Sequence, residues 1–331
     1  MKNKWSILGS IVVFIFLIII FFYTEKIANM ASDKDVIAYD DVRKSNWTSP
    51  FEEVSIPSTL DDESQPAWFY ASTSEEPQPL LVSLHTWSGD YNQKDDLAKM
   101  AVEENWNYIH PNFRGPNWTV KACCSEYALS DIEDAIDYAI ANGRVDVNKI
   151  RVVGVSGGGY AALAVYMKSK HNIEKISAWV PLVDLEAWYN ESTIRGNNYA
   201  NNVMKCTGSE GETLNVEEAL AKSPLHWETP DRDTKLSIHA GVYDGLKGSV
   251  PITHSINFYN KLVDDLGADD EGSRVTAEET LYLLEKRKPL AELGKIGDRD
   301  ICLYKSFKNI DLTIFVGGHE MLPVPGFEKL K

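Results

Sequence analysis

Basic residues are scarce in this sequence, and they form no cluster. The 331 residues include 33 Lys and Arg against 49 Asp and Glu, which gives a formal net charge of −16. Nucleic acids and anionic membrane surfaces attract basic patches, so this composition argues against both as partners. The sequence also contains no internal repeat and no low-complexity tract, which argues against a repeat architecture.

Cysteine is also scarce, with four residues at positions 123, 124, 206 and 302. They form no C-x-x-C motif and no Cys/His spacing typical of zinc, and we expect no metal and no other cofactor. Disulfides persist in exported proteins, so one pair could join Cys123 or Cys124 to Cys206 or Cys302. The alternative is that all four are small buried thiols.

The N-terminus carries the one long apolar run, WSILGSIVVFIFLIIIFFY. Its length is that of a membrane-spanning helix, which we assign to residues 1–24 and follow with a juxtamembrane tether over residues 25–50. Lys2 and Lys4 precede the run, so the positive-inside rule places the remainder of the chain outside the cytoplasm. The only candidate signal-peptidase site after the run, at residues 29–31, matches the small-residue cleavage motif poorly. We therefore expect a membrane anchor, or a secreted protein if the run is cleaved.

The remainder, residues 51–331, has the pattern of one α/β domain. Strand-like runs such as LLVSLHTW, IRVVGVS, KLSIHAGVY and LTIFVGG alternate with amphipathic helical stretches, which predicts a mostly parallel sheet with helices on both faces. The segment SDIE at 130–133 predicts a capping box for a helix that Gly143 closes. Residues 268–300 are predicted as a helical insertion, capped at 276–279.

The segment GVSGGGYAAL, at residues 154–163, predicts a sharp turn from a strand into a helix. The pattern G-x-S-x-G at such a turn exposes a serine hydroxyl above the sheet, which makes Ser156 a candidate nucleophile. The N–H of Gly157 lies at the predicted helix start, where it would stabilise a developing oxyanion. Gly-rich turns of this kind also bind phosphate or merely pack. Whether Ser156 is a nucleophile therefore depends on whether the chain also supplies a suitable base and acid.

Two later strands end in the partners that a serine nucleophile needs. KLSIHAGVYD ends at Asp244 and LTIFVGGH ends at His319. An imidazole takes the serine proton, and a carboxylate fixes the imidazole tautomer and stabilises its charge. Asp184, at the end of the preceding strand, is a competing acid. Taken alone, Asp244 could be an ordinary turn residue and His319 a structural histidine.

Four stretches of the sequence resemble the prolyl oligopeptidase branch of the α/β-hydrolases. GVSGGGYAAL resembles the nucleophile turn, NFRGP the upstream N-Y-R-G segment, AKSPLHW with KLSIHAGVYDG the passage to the acid, and FVGGHE the closing G-x-H segment. The resemblance covers roughly residues 79–325 in the family's order. It implies an α/β-hydrolase fold.

The resemblance also implies roles for single residues. Ser156 would be the nucleophile, Asp244 the orienting acid and His319 the base, and the Gly157 N–H would be the first oxyanion donor. The second donor would come from the segment HTWSG at 85–89. The family usually has glycines there, and their absence leaves two candidates, Thr86 and Trp87.

The same resemblance implies a class of substrate. Peptidases of this family generally carry a large N-terminal β-propeller, and only about fifty residues separate the apolar run from the first sheet strands. We therefore expect an esterase-like member that acts through an acyl-enzyme on acetyl esters of small molecules or oligosaccharides. One alternative is a peptidase of short peptides, with Glu126 or Glu186 as candidates to hold an amino terminus. A binding module without catalysis is the last alternative.

The sequence signals for substrate-binding residues are weaker than those for the catalytic candidates. Trp87, Trp118, Trp188 and Trp227 are predicted near strand ends, where they would either form a wall for a sugar or an acyl group or simply pack. Arg114 would either bind a substrate carboxylate or brace its loop through backbone carbonyls.

Overall fold

Ten strands form one sheet in residues 44–331, the part of the chain that this computed structural model describes. The strands are β1 (Glu52–Pro57), β2 (Ser64–Tyr70), β3 (Gln78–Leu84), β4 (Asn107–Pro111), β5 (Val145–Val155), β6 (Ile173–Trp179), β7 (Lys235–Gly241), β8 (Lys295–Ile296), β9 (Arg299–Phe307) and β10 (Ile310–Phe315). Their order across the sheet is β1-β2-β4-β3-β5-β6-β7-β10-β9-β8. The six from β4 to β10 run parallel, and the pairs at both edges are antiparallel.

Helices cover both faces of this sheet. They are α1 (Asp96–Glu103), α2 (Glu126–Asn142), α3 (Gly157–Lys168), α4 (Leu185–Arg195), α5 (Tyr199–Cys206), α6 (Val216–Ala221), α7 (Thr253–Asp265), α8 (Ala277–Lys286) and α9 (Pro323–Leu330). Neighbouring strand residues point to opposite faces: Val152 packs in the larger hydrophobic cluster, with α2, α3 and α7, whereas Val153 packs in a second, with α1 and α9. This double cover explains why the central strands are apolar along their length.

The predicted α/β fold with a mostly parallel sheet is confirmed, as is the helix capped at 276–279. There, Thr276 and Glu279 form a reciprocal capping box at the start of α8. The capping box predicted at 130–133 is wrong, because α2 begins at Glu126 with Ser125 as its cap. Ser130 therefore lies inside that helix, which does end before Gly143.

The segment 268–300, predicted as a helical insertion, contributes strands to the sheet as well as a helix. It contains α8, but it also supplies β8 and the first residues of β9 at the sheet edge. Leu283 of α8 is fully buried. The insertion is therefore packed on the domain.

The predicted membrane segment at 1–24 and most of the tether lie outside the described residues. In residues 44–331 no helix is long and apolar enough to cross a membrane. Residues 44–50, which we assigned to the tether, contact the domain: Lys44 pairs with Gln93, and the ring of Trp47 stacks on that of Trp68 at 5.6 Å.

Candidate active site

The turn between β5 and α3 holds Ser156 in an unusual conformation. Its φ is 56° and its ψ −117°, a region that residues with a side chain rarely occupy. Its backbone is fixed on both sides, because its N–H donates to the Trp179 carbonyl at 2.8 Å and its carbonyl accepts from the Tyr160 N–H at 2.9 Å. The Ser156 hydroxyl does not cap α3. The backbone thus presents a serine whose hydroxyl the helix does not use.

Two glycines of the turn allow this close approach of strand and helix. A Cβ on Gly154 would lie 2.1 Å from the carbonyl oxygen of Gly158. A Cβ on Gly158 would lie 2.1 Å from the carbonyl oxygen of Leu84, at the end of β3. Any side chain at either position would push the helix away from the sheet.

The backbone of Trp87 lies against that of Gly157, the residue after Ser156. A Cβ on Gly157 would be only 2.3 Å from the Trp87 nitrogen, so these two backbone segments are in contact. The N–H of Thr86, the other predicted donor, already donates to Gln93 Oε1 at 2.8 Å. Within residues 44–331 the Trp87 N–H has no hydrogen-bond acceptor. Of the two predicted donors, only Trp87 therefore has an N–H that is not already used.

Asp244 and His319 are brought together in the interior. His319 Nδ1 lies 2.7 Å from Asp244 Oδ2. The other oxygen, Oδ1, accepts from the N–H groups of Gly245 at 2.9 Å and Val250 at 3.1 Å. Asp244 is 1% exposed. The carboxylate is therefore fully engaged and fixed in orientation toward the imidazole.

Sheet topology places the serine at the same edge as this pair. The strands β5, β7 and β10 are parallel and separated only by β6 between the first two. Ser156, Asp244 and His319 each follow the carboxyl end of one of these strands, which is the arrangement of an α/β-hydrolase site. Asp184, the competing acid, is occupied elsewhere: it caps α4 and lies 3.2 Å from His226.

Helix α4 holds the loop that carries the acid. Trp188 Nε1 donates to the Ser249 carbonyl at 2.9 Å. Arg195 donates to the carbonyl oxygens of Ser249 at 2.9 Å, Gly248 at 3.2 Å and Gly245 at 3.3 Å. Trp188 was predicted as a possible substrate-binding residue, but its ring nitrogen is used by this loop. No sequence pattern marks Arg195, because its partners are backbone carbonyls.

Arg114 braces the upstream loop. Its guanidinium bonds Asp131 from α2, and Asp61 and Glu63 from the turn between β1 and β2. Its side chain is 2% exposed, and hydrogen bonds from Arg114 hold the pKa of Asp61 well below its usual range. The structure thus gives Arg114 the bracing role, through carboxylates and not the backbone carbonyls that we expected.

The remaining predicted tryptophans, Trp118 and Trp227, lie in loops and are half-buried. Trp118 is half-buried in its loop, where its N–H donates to the Pro116 carbonyl at 2.8 Å. Trp227 donates from Nε1 to the Ala221 carbonyl at 2.8 Å, and the Lys168 ammonium lies 3.7 Å from its ring centre. The ring of Trp227 therefore serves packing, and the substrate-binding role of Trp118 stays a prediction.

Two other histidines near the sheet are structural. Burial lowers the pKa of His85 to about 4 and that of His239 to about 3. The ring nitrogens of His85 lie 2.9 Å from the Thr86 carbonyl and 2.8 Å from the Asn112 carbonyl, which braces the segment carrying Trp87. His239 stacks on Trp179 at 4.1 Å. Neither suits the role of a general base.

Comparison with known protein families gives one match. The sequence model of the "Prolyl oligopeptidase family" matches residues 98–278, which is more than half of the chain and includes Ser156 and Asp244. No curated protein sequence matches the chain.

Solved structures share the fold at low sequence identity. The Pyrococcus horikoshii acylaminoacyl peptidase is 17% identical with a TM-score of 0.52, over 69% of this chain and 36% of that one. A Mycobacterium tuberculosis puromycin-hydrolyzing peptidase is 16% identical with a TM-score of 0.51, over 69% and 34%. Oligopeptidase B from Leishmania major is 13% identical with a TM-score of 0.54, over 84% and 34%. The chain thus aligns with about a third of the length of these structures.

Proposed function

The chain belongs to the prolyl oligopeptidase family of serine hydrolases, and from this premise we propose that Ser156, His319 and Asp244 form its catalytic triad. The single observation that carries the assignment is the contact of 2.7 Å between His319 Nδ1 and Asp244 Oδ2. It lies at the sheet edge where the strained turn presents Ser156.

The proton transfers follow from that contact. Asp244 accepts the Nδ1 proton, which leaves Nε2 of a neutral His319 as the acceptor for the Ser156 hydroxyl proton. As the Ser156 oxygen attacks a substrate carbonyl, the proton moves to Nε2, and the fixed carboxylate stabilises the imidazolium that forms. The acid itself stays ionised.

The negative charge on the substrate oxygen needs donors that are already in place. We assign the N–H groups of Gly157 and Trp87, which lie on backbone segments in contact and have no acceptor within residues 44–331. Gly157 is the first residue of α3, so the positive end of the helix dipole adds to the stabilisation.

The intermediate then collapses to an acyl-enzyme. The bond from the carbonyl carbon to the leaving oxygen breaks, and His319 returns its proton to that oxygen, releasing the alcohol. Water attacks the acyl-enzyme by the same route in reverse: His319 takes a water proton and gives it to the Ser156 oxygen as the acid leaves.

We propose carboxylic esters with a short acyl group, such as acetyl, as the substrates. The buried indole of Trp87 contacts that of Trp188, with ring centres 4.7 Å apart, and Trp188 contacts Tyr199 at 4.8 Å. These rings fill space next to the proposed oxyanion donor, which leaves little room for a long acyl chain. An alcohol portion from a small molecule or an oligosaccharide agrees with the absence of a basic cluster in the sequence.

A peptidase is the second candidate, because the similar solved structures named above are peptidases by title. Of the two glutamates proposed to hold an amino terminus, Glu126 is exposed at the start of α2 and Glu186 is half-buried in the first turn of α4. Esters also need less protonation of the leaving group than amides, and on this ground we place ester hydrolysis first.

Attachment to a membrane through the N-terminal apolar run, with the domain outside the cytoplasm, remains our proposal for location. It rests on the composition of residues 5–23 and on Lys2 and Lys4.

A substrate panel tests the proposal. Acetyl esters, including acetylated oligosaccharides, are compared with aminoacyl and dipeptidyl amides, using the full chain, Ser156→Ala and Ser255→Ala. Ser255 is a buried serine of α7 and serves as the matched control. We expect ester turnover to exceed amide turnover and to fall at least about 1,000-fold in Ser156→Ala alone. Dominant amide turnover would favour the peptidase, and turnover that survives Ser156→Ala would overturn the triad.

A further inference from the structure

Two cysteine sulfurs lie closer together than non-bonded sulfur atoms normally pack. The Sγ atoms of Cys123 and Cys206 are 2.7 Å apart, although the residues are 83 positions apart in sequence. All four cysteines are present as free thiols, and both members of this pair are completely buried. The distance lies between a packing contact and the bond of about 2.05 Å in a disulfide.

Independent hydrogen bonds hold the backbone of the first cysteine. Cys123 precedes α2, with a left-handed φ of 60°. Its N–H donates to Asn117 Oδ1 at 3.0 Å, and its carbonyl accepts from the Tyr160 hydroxyl at 3.0 Å. These bonds fix Cys123 without any contribution from its sulfur.

The second cysteine is fixed in the same way. Cys206 is the last residue of α5, and its carbonyl accepts from the buried Lys222 Nζ at 2.7 Å. The same Nζ donates to the Val120 carbonyl at 2.8 Å, three residues before Cys123. Lys222 therefore connects the two cysteine-bearing segments, and the backbone already brings the sulfurs together.

The other two cysteines offer no competing pair. Cys124 is adjacent to Cys123, where its buried thiol contacts α3 and has a pKa raised well above its ordinary value by burial. Cys302 lies in β9, near the opposite end of the sheet. Among the described residues no group of three metal-ligating side chains forms, so a shared metal does not explain the approach of the sulfurs.

We propose that Cys123 and Cys206 are joined by a disulfide in the mature protein. One Sγ–Sγ bond forms and two S–H bonds break, releasing two protons, while two electrons pass to a thiol–disulfide oxidant whose own disulfide is reduced to two thiols. Because both sulfurs are buried in the folded chain, the exchange takes place during folding. Such an oxidant is characteristic of extracytoplasmic compartments.

The bond would join two sides of the candidate active site. On one side, Asn117 Oδ1 accepts a hydrogen bond from the Cys123 N–H, and the Asn117 N–H donates to the Trp87 carbonyl at 2.8 Å. On the other side, α5 carries Tyr199, which packs on Trp188. The disulfide would therefore tie the segment of the second oxyanion donor to the helices that hold the acid loop.

Thiol counting tests this directly and does not depend on activity. The full chain is produced in an oxidising compartment, unfolded in denaturant with an excess of iodoacetamide, and weighed intact with and without prior reduction. We expect two alkylated cysteines without reduction and four after it, with a linked peptide pair containing Cys123 and Cys206.

Single serine variants identify the partners. Cys206→Ser should leave three alkylated cysteines without reduction, whereas Cys124→Ser and Cys302→Ser should each leave one and keep the linked peptides. Four alkylated cysteines in the unreduced wild type, a linked peptide containing Cys302, or loss of the linked peptides in Cys124→Ser would overturn the proposal. If a variant fails to fold, differential alkylation of the wild type before and after reduction, read by fragmentation of the peptide that carries both Cys123 and Cys124, identifies the bonded sulfur.

Discussion

Gly248 packs so close to Asp244 and His319 that no residue with a side chain would fit at this position. A Cβ at this position would be 2.2 Å from Asp244 Oδ1 and 2.6 Å from His319 Cβ. The position has no need of a positive φ, so space and not backbone freedom demands the glycine. The orientation of the proposed acid thus depends on one missing methyl group.

Gly248→Ala is expected to disturb that contact. The added methyl must displace the Asp244 carboxylate or the His319 ring, and a misplaced base costs roughly 100-fold in turnover. Steady-state kinetics on the best ester would measure the loss. Gly272→Ala is the matched control, since Gly272 is exposed and its nearest neighbour would be Asp270 Oδ1 at 3.1 Å. Unchanged kcat in Gly248→Ala would show that the pair does not act in catalysis.

The positions of the three residues in the proposed triad, each at a strand end, are what the sequence predicts best. Ser156, Asp244 and His319 each follow an apolar strand, and a strand end can be located from residue pattern alone. The choice between Thr86 and Trp87 could not be made that way. It depends on Gln93 Oε1, which accepts from the Thr86 N–H across a loop.

At the scale of elements, helix α4 supports the loop that follows Asp244. Its residue Arg195 donates to the carbonyl oxygens of Gly245, Gly248 and Ser249, and Trp188 donates to the last of these. A planar guanidinium can hold several carbonyl oxygens in fixed directions, whereas an ammonium on a flexible stem cannot. Arg195 is therefore a positioning residue for Asp244.

Arg195→Lys is expected to lower kcat about 10-fold with little change in KM, because the loop loosens while the substrate contacts remain. In an Asp244→Asn background the same change should have almost no further effect, since both act on one step. Arg274→Lys, which alters a half-buried arginine paired with Asp264, is the control. Additive losses in the double variant would contradict a role through Asp244.

Strands were predicted more accurately than helix starts for a physical reason. An apolar run of β-branched residues identifies a buried strand such as β10, whose six residues are all buried. The start of α2 is ambiguous because Ser125 and Ser130 are both good caps in sequence. Ser125 Oγ caps the helix by accepting from the Ala128 N–H, whereas a tertiary contact engages Ser130, whose hydroxyl lies 2.9 Å from that of Thr59.

At the scale of the whole molecule, two buried histidines link folding to pH. The pKa values of His85 and His239 fall from 6.5 to about 4 and about 3 because burial disfavours the charged ring. The unfolded chain takes up protons on these rings below pH 6.5, while the folded chain does so only at the lower values. Their contribution to stability is therefore complete above pH 6.5 and is lost as the pH falls toward 4.

His239→Phe should make the acid dependence of stability shallower. Each such histidine contributes a slope of at most about 1.4 kcal/mol per pH unit between its two pKa values. Phenylalanine keeps an aromatic ring against Trp179 but cannot take a proton. Urea unfolding at pH 7, 6, 5 and 4 would give the free energy of unfolding for both proteins. Equal slopes would contradict a neutral buried His239.

The overall architecture was predictable because alternating strands and helices leave few ways to bury both sheet faces. The long-range pairs were not, since a contact such as that of Cys123 with Cys206 depends on how distant loops pack. Arg114 is another case: its partners Asp61 and Asp131 lie on opposite sides of it in sequence.

The nucleophile is the central claim, and covalent labelling tests it most directly. The full chain, Ser156→Ala and His319→Asn are incubated with a fluorophosphonate, which phosphonylates an activated serine, and the modified peptide is sequenced by mass spectrometry. We expect one adduct per chain on Ser156, slowed at least about 100-fold in His319→Asn and missing in Ser156→Ala. An adduct on another residue, or none on the folded wild type, would contradict the account.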